Sequence, residues 1–180
     1  MAHKVHPKIF RIKEITNWDS RWFEKKKFPQ YLKEDFEIRK FLKEKLGKIG
    51  IEKIEIERFP TKISVLISTA RPGLIIGRRG EGIEKIRQDL EKLLFKKGEK
   101  RELKLEILEI KDPWSSASLA AQWIAQQIEQ RVPYRRVLKQ ALDKIMARKE
   151  IKGARVQVAG RLDGIEIART EWLKRGRLPR

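Results

Sequence analysis

Between residues 54 and 107 the apolar residues change their spacing from two to about 3.6 and back again, and few folds accommodate such a switch. Ile54 and Ile56 share one face of a strand, and Ile63, Val65 and Ile67 do so again after the Phe59-Pro60 turn. Arg71-Pro72-Gly73 breaks that strand. A short apolar turn, Leu74-Ile75-Ile76, leads into Gly77-Arg78-Arg79-Gly80, and a helix comes next with Ile83, Ile86, Leu90, Leu93 and Leu94 inward. Leu103, Leu105 and Ile107 then restore the period of two. Upstream, residues 31–46 repeat as a helix, with Leu32, Phe36, Phe41, Leu42 and Leu46 on one side and Gly47 and Gly50 ending it. The order α-β-β-α-α-β predicts one small α+β domain over residues 31–111.

A second α+β domain is predicted over residues 112–180. Asp112-Pro113-Trp114-Ser115 is a linker and helix start, with Ser115 placed to cap the next helix. Two helices are expected there, over about 116–131 and 134–149, separated at Pro133. Strand patterns resume in Arg155-Val156-Gln157-Val158 and around Ile165-Glu166-Ile167, so the helix pair has a small sheet to pack on. Residues 1–30 lack clean periodicity and mix cations with Phe10, Trp18, Trp22, Phe23 and Phe28, which reads as an arm that anchors through aromatics.

Charge narrows the partner. Lys and Arg number 44 against 25 acids, a net +19, and a fold alone gains nothing from that excess. It suits a polyanion, whose condensed counterions are released on binding. No apolar run is long enough to span a bilayer, and the amino terminus has no apolar signal core, so no membrane partner is expected. The absence of cysteine fits a cytoplasmic protein. Catalysis is not expected either. His3 and His6 lack a carboxylate arrangement for a metal, and Ser115-Ser116 has no histidine nearby to activate it. The acids alternate with lysines, as in Lys104-Leu105-Glu106, which makes a solvated face. No cofactor and no small-molecule substrate are implied.

The candidate contacts are therefore cationic. Gly77 and Gly80 let backbone approach a ligand closely, the next helix presents its amino-terminal end to phosphates, and Arg78 and Arg79 add charge at the tip. On helix 134–149, Tyr134, Val137, Leu138, Ala141, Leu142 and Ile145 form one apolar sector. Arg135, Arg136 and Lys139 fall on the far side, diluted by Asp143 one turn on. Arg155, Arg161, Arg169, Lys174, Arg175 and Arg177 give the last strands a basic surface suited to phosphate. Trp114 and Trp123 are expected at domain interfaces, whereas Trp18, Trp22 and Trp172 have the option of stacking on bases or on protein.

Gly77-Arg78-Arg79-Gly80 within an α-β-β-α-α-β order resembles the type II K-homology (KH) domain, which clamps about four nucleotides of single-stranded nucleic acid with this loop. The resemblance widens through Lys4-Val5-His6-Pro7, Trp18-Asp19-Ser20-Arg21-Trp22 and Ala70-Arg71-Pro72-Gly73. It continues in Val156-Gln157-Val158-Ala159-Gly160-Arg161-Leu162, Glu166-Ile167-Ala168-Arg169-Thr170-Glu171-Trp172 and Gly176-Arg177. In this order the blocks resemble the bacterial family of small-subunit ribosomal protein three. That resemblance implies a cytoplasmic, non-enzymatic constituent of the ribosome that binds rRNA in the small-subunit head. It also implies neighbours numbered ten and fourteen and a share in the channel through which mRNA enters. Arg135, Arg136 and Lys139 would there hold mRNA strands by their phosphates and aid unwinding passively. The family usually has glycine where this chain has Ile9 and Lys13, which predicts a differently shaped arm. Its carboxy-terminal domain also continues through further strands beyond Leu178-Pro179, so an incomplete second sheet with an unpaired edge is expected. The alternatives are a KH RNA chaperone or regulator acting outside the ribosome, and a nuclease, which would need a carboxylate cluster or nucleophile.

Overall fold

The computed structural model describes residues 5, 9, 11–12, 17–24, 26–47, 49–94 and 101–178. The expectations attached to His3, Lys4, His6, Pro7, Phe10, Lys13 and Pro179 lie outside the described residues. The chain divides into two compact units, with the boundary between Glu109 and Ile110. No helix among the described residues is long and apolar enough to cross a membrane.

The first unit runs β1 (Ser20–Arg21), α1 (Phe28–Leu46), β2 (Ile51–Arg58), β3 (Lys62–Thr69), α2 (Pro72–Ile76), a 3-10 turn (Arg78–Gly80), α3 (Glu81–Leu94) and β4 (Glu102–Glu109). Its sheet has the order β1-β2-β3-β4. A tight turn suffices between β2 and β3, which are antiparallel. β4 lies parallel to β3, with Ile63, Val65 and Ile67 opposite Leu103, Leu105 and Ile107, and a parallel pair needs a crossover. Residues 72–94 supply it, so the glycine loop lies within the crossover. Ile38, Leu42, Ile56, Val65, Leu90 and Leu103 are sealed in the core.

Two details differ from the periodic reading of α1. The helix begins at Phe28, with proline in its first turn, and its buried residues are Asp35, Ile38, Leu42 and Leu46. Leu32 and Phe36 stand 56% and 66% exposed. The inward sector is rotated because a carboxylate occupies it: Asp35 accepts hydrogen bonds from Arg58 and from Trp22 Nε1. A hydrophobicity pattern scores that position as outward. The arm is anchored on this same unit. Ser20 and Arg21 pair with Ile56 and Glu57, and Arg39 Nη2 donates to Asp19 O and Ser20 Oγ at 2.8 Å each.

The second unit holds a 3-10 turn (Pro113–Ser115), α4 (Ala117–Glu129), α5 (Tyr134–Met146), β5 (Gly153–Gly160), a second such turn (Leu162–Gly164) and β6 (Arg169–Gly176). β5 and β6 form an antiparallel two-stranded sheet among the described residues. All six residues of the predicted apolar sector of α5 are buried, and they pack with Val156, Val158 and Leu173. An open hollow of about 530 Å3, lined by Trp114, Ala120, Ile124, Val156 and others, flanks β5.

Two expectations for this unit need correction. Ser115 does not cap α4: its hydroxyl donates to Asp112 O at 2.7 Å and closes the 3-10 turn, while the buried Ser116 takes the cap position. Ile165-Glu166-Ile167 is not a strand, because Asp163 and Gly164 take positive φ and delay pairing until Arg169. Ile167 is consequently 74% exposed. Trp114 and Trp123 pack edge-to-face on each other within this unit, centroids 5.2 Å apart. Lys144 Nζ sits 4.1 Å from the Trp123 ring.

Candidate nucleic-acid interface

The glycine loop is built by the way α2 ends. Ile75 is buried and pins the short helix, while Leu74 and Ile76 stay exposed beside the loop. At Gly77 the chain turns to φ 72°, ψ −176°, which L side chains rarely adopt. Arg78, Arg79 and Gly80 then make one 3-10 turn, with Arg79 itself at φ 52°. Both arginine side chains are exposed, and among the described residues neither has a carboxylate partner. Leu74, Ile76 and two unpaired cations thus surround a backbone with no Cβ at two of its corners. That arrangement offers an apolar floor for bases and positive charge for phosphates.

A further glycine makes the loop possible, and periodicity gave no hint of it. A Cβ at Gly82 would stand 2.6 Å from Ile75 O and 2.9 Å from Ile76 O, both backbone atoms. Only a glycine lets α3 start so close to the end of α2. The available signal was the third glycine, two residues beyond Gly80. The helix start is also less open than expected. The Glu81 N–H donates to Arg78 O, and Glu81 and Glu84 occupy the first turn of α3. Attraction for phosphate therefore comes chiefly from the arginines.

In the second unit, Arg135, Arg136 and Lys139 are exposed on α5, opposite its buried sector. Arg135 Nε donates to Tyr134 Oη at 3.1 Å. That bond, with added attraction from Glu171 and Asp163, raises the Arg135 pKa above its ordinary value. None of the three cations has a carboxylate within ion-pair distance among the described residues. Asp143 does not dilute them as predicted, since Arg175 Nη1 holds its Oδ1 at 2.8 Å.

The remaining two predicted contacts gather at the turn end of the β5–β6 hairpin, where Gly160 pairs with Arg169 and Arg161 comes next in the chain. Arg161 Nε donates to Ile165 O at 3.2 Å, so this residue clasps the turn while remaining exposed. Arg169 is exposed. The glycine loop belongs to the first unit, and the other five predicted residues to the second. Among the described residues no group of three His, Cys, Asp or Glu is placed to hold a metal ion.

Comparison with known proteins agrees with this division. Residues 37–115 match the family model described as KH domain, and residues 124–180 match that described as Ribosomal protein S3, C-terminal domain. The small ribosomal subunit protein uS3 of Caldicellulosiruptor saccharolyticus is 49% identical over 180 residues, 99% of this chain and 79% of its own length. The protein of that name from Maridesulfovibrio salexigens is also 49% identical, with 81% of its length covered. That of Myxococcus xanthus is 45% identical over 179 residues, with 79% covered.

Proposed function

The chain belongs to the family of the small ribosomal subunit protein uS3, and from that premise we propose that it binds rRNA in the head of the small subunit and touches incoming mRNA. It is a structural constituent of the cytoplasmic ribosome, with a KH domain as its RNA-binding module. The observation that carries the reading is the loop at Gly77–Gly80: two exposed arginines, without acidic partners among the described residues, on a backbone opened by glycine. A loop that only capped a helix would need neither arginine.

Function divides between the units. The KH loop, with Gly77, Arg78, Arg79 and Gly80, holds single-stranded RNA by backbone and charge. Arg135, Arg136 and Lys139 line a rigid helix face and grip mRNA phosphates as strands enter, while Arg161 and Arg169 contact rRNA phosphates. Unwinding of structured mRNA is passive. The cations trap strands as they open, and the translating ribosome supplies the motion. Small-subunit proteins ten and fourteen are the expected neighbours.

Sedimentation of cell extract through a sucrose gradient in high salt, tracking the chain by immunoblot, tests the assignment. Co-migration with small subunits after the wash is expected. Recovery at the top of the gradient, with RNA binding retained by the purified chain, would favour a regulator working outside the ribosome.

A further inference from the structure

One cationic and aromatic surface is used by neither the loop nor the α5 face. Alternation along β5 turns Val156 into the core, which sends Arg155 and Gln157 to the opposite face. The register sets Lys174 opposite Arg155 and Trp172 opposite Gln157, while Leu173 packs inward. These four residues therefore form a compact square on the outer face of the hairpin. Trp172 is 45% exposed and bracketed by charge: the Arg155 guanidinium lies 4.8 Å from the ring centroid and Lys174 Nζ 5.7 Å. Arg155 Nη2 donates to Gln157 Oε1 at 3.0 Å, which holds the guanidinium in place. Beyond the square, the outward pair is Ala159 and Thr170, so the outward positions from Arg155 to Thr170 include no acid.

We propose that this face binds single-stranded RNA, with an unpaired base stacked on Trp172 and its flanking phosphates held by Arg155 and Lys174. Every base offers a π face to an indole, and two cations bracketing the ring match the negative backbone on either side. A duplex is a poor fit, because its bases are stacked internally and cannot reach a flat platform. A protein partner would want a wider apolar patch, whereas the residues around Trp172 are two cations and an amide. The proposal rests on the RNA-binding reading above but uses different residues.

The test uses the full chain carrying Gly80→Asp, which removes the loop's share, and a fluorescein-labelled short oligouridylate read by anisotropy. An abasic strand of the same length runs in parallel. Adding Trp172→Leu should weaken binding of the base-bearing strand by roughly fivefold to a hundredfold, the span that base–aromatic stacking gives. It should also erase the preference for bases over the abasic strand, and Trp172→Phe should restore both. Equal affinity in the Gly80→Asp chain with and without Trp172→Leu would overturn the proposal, as would a Gly80→Asp parent that does not distinguish the two strands. The loss caused by Gly80→Asp alone reports on the loop separately, so the two readings fail independently. A measurement on the unaltered chain guards against misfolding: 4-thiouridine RNA should crosslink within Thr170–Lys174, and absence of that crosslink would equally overturn it.

Discussion

Arg58 grips one oxygen of Asp35 with two nitrogens, Nε at 2.8 Å and Nη2 at 2.6 Å, and both side chains are nearly sealed from solvent. The other oxygen accepts from Trp22 Nε1 at 3.0 Å. Arg58 Nη1 also reaches Glu34, and its guanidinium lies 4.8 Å from the Tyr31 ring. One buried carboxylate thus ties the arm, α1 and β2 together, which is why an acid sits on the inward side of an amphipathic helix.

Removing that carboxylate should be costly. Asp35→Ala leaves the Arg58 charge buried beside Glu34 alone, and breaking such a pair from one side costs about 3–5 kcal/mol. For a unit of this size that corresponds to a fall of roughly 12 °C or more in melting temperature. Differential scanning calorimetry of the full chain checks this. A shift of only a degree or two would mean that the cluster adds little to the fold.

The two glycines at the loop should fail in different ways. Gly80 has open space around it but φ +81°, so Gly80→Asp adds backbone strain and places an anion next to Arg79 in the loop. Single-strand binding by the loop should be lost, while the melting temperature falls only by what about 1–2 kcal/mol of backbone strain costs. Gly82→Ala pushes a Cβ into the Ile75 and Ile76 carbonyls, which must move, at about 1–3 kcal/mol. Paired titration and melting curves separate the two. Unaltered affinity in Gly80→Asp would make the loop structural only.

The contrast between α1 and α5 explains how much of this molecule was legible in its sequence. On α5 six apolar residues occupy every inward place, so the period alone identified the buried sector and left Arg135, Arg136 and Lys139 outside. On α1 a satisfied acid takes an inward place, and no pattern of hydrophobicity anticipates a partner twenty-three residues away. The order of elements in the first unit came from the switch between periods. The β3–β4 pairing did not, because parallel register is set by how the crossover packs. The sequence reading put the cap at Ser115, and the 3-10 turn before the helix moves it to Ser116. The Trp172 platform needed the β5–β6 register, which Asp163 and Gly164 fix by lengthening the turn.

Lys144 should contribute more than an exposed lysine normally does. Its Nζ stands 4.1 Å from the Trp123 ring and 5.0 Å from Trp114, inside the angle made by the two indoles. Lys144→Met keeps the aliphatic stem and removes the charge. The expected loss is about 0.5–2 kcal/mol, the range for a cation over an aromatic face. Urea unfolding monitored by tryptophan fluorescence measures it, and a midpoint equal to the parent's would assign the site to simple packing.

Arg135, Arg136 and Lys139 allow the sharpest separation of function from folding. Their side chains are exposed, and the one nearby acid on the helix, Asp143, is already held by Arg175. Alanine is the best helix former, so Arg135→Ala, Arg136→Ala and Lys139→Ala together should leave α5 intact, with Arg136 and Lys139 each within about 0.5 kcal/mol of neutral and Arg135 costing more through its lost bond to Tyr134. Three lost single-strand phosphate contacts at about 0.7 each should lower the salt slope of RNA binding by about 2. If the face grips incoming mRNA, ribosomes reconstituted with the triple variant should slow on templates with a stable hairpin and keep their rate on unstructured ones. Hairpins are where strands must be trapped as they open, and an unstructured template offers nothing to trap. Equal slowing on both templates would indicate an assembly defect, and no slowing on either would leave these cations as rRNA contacts or solvated charge.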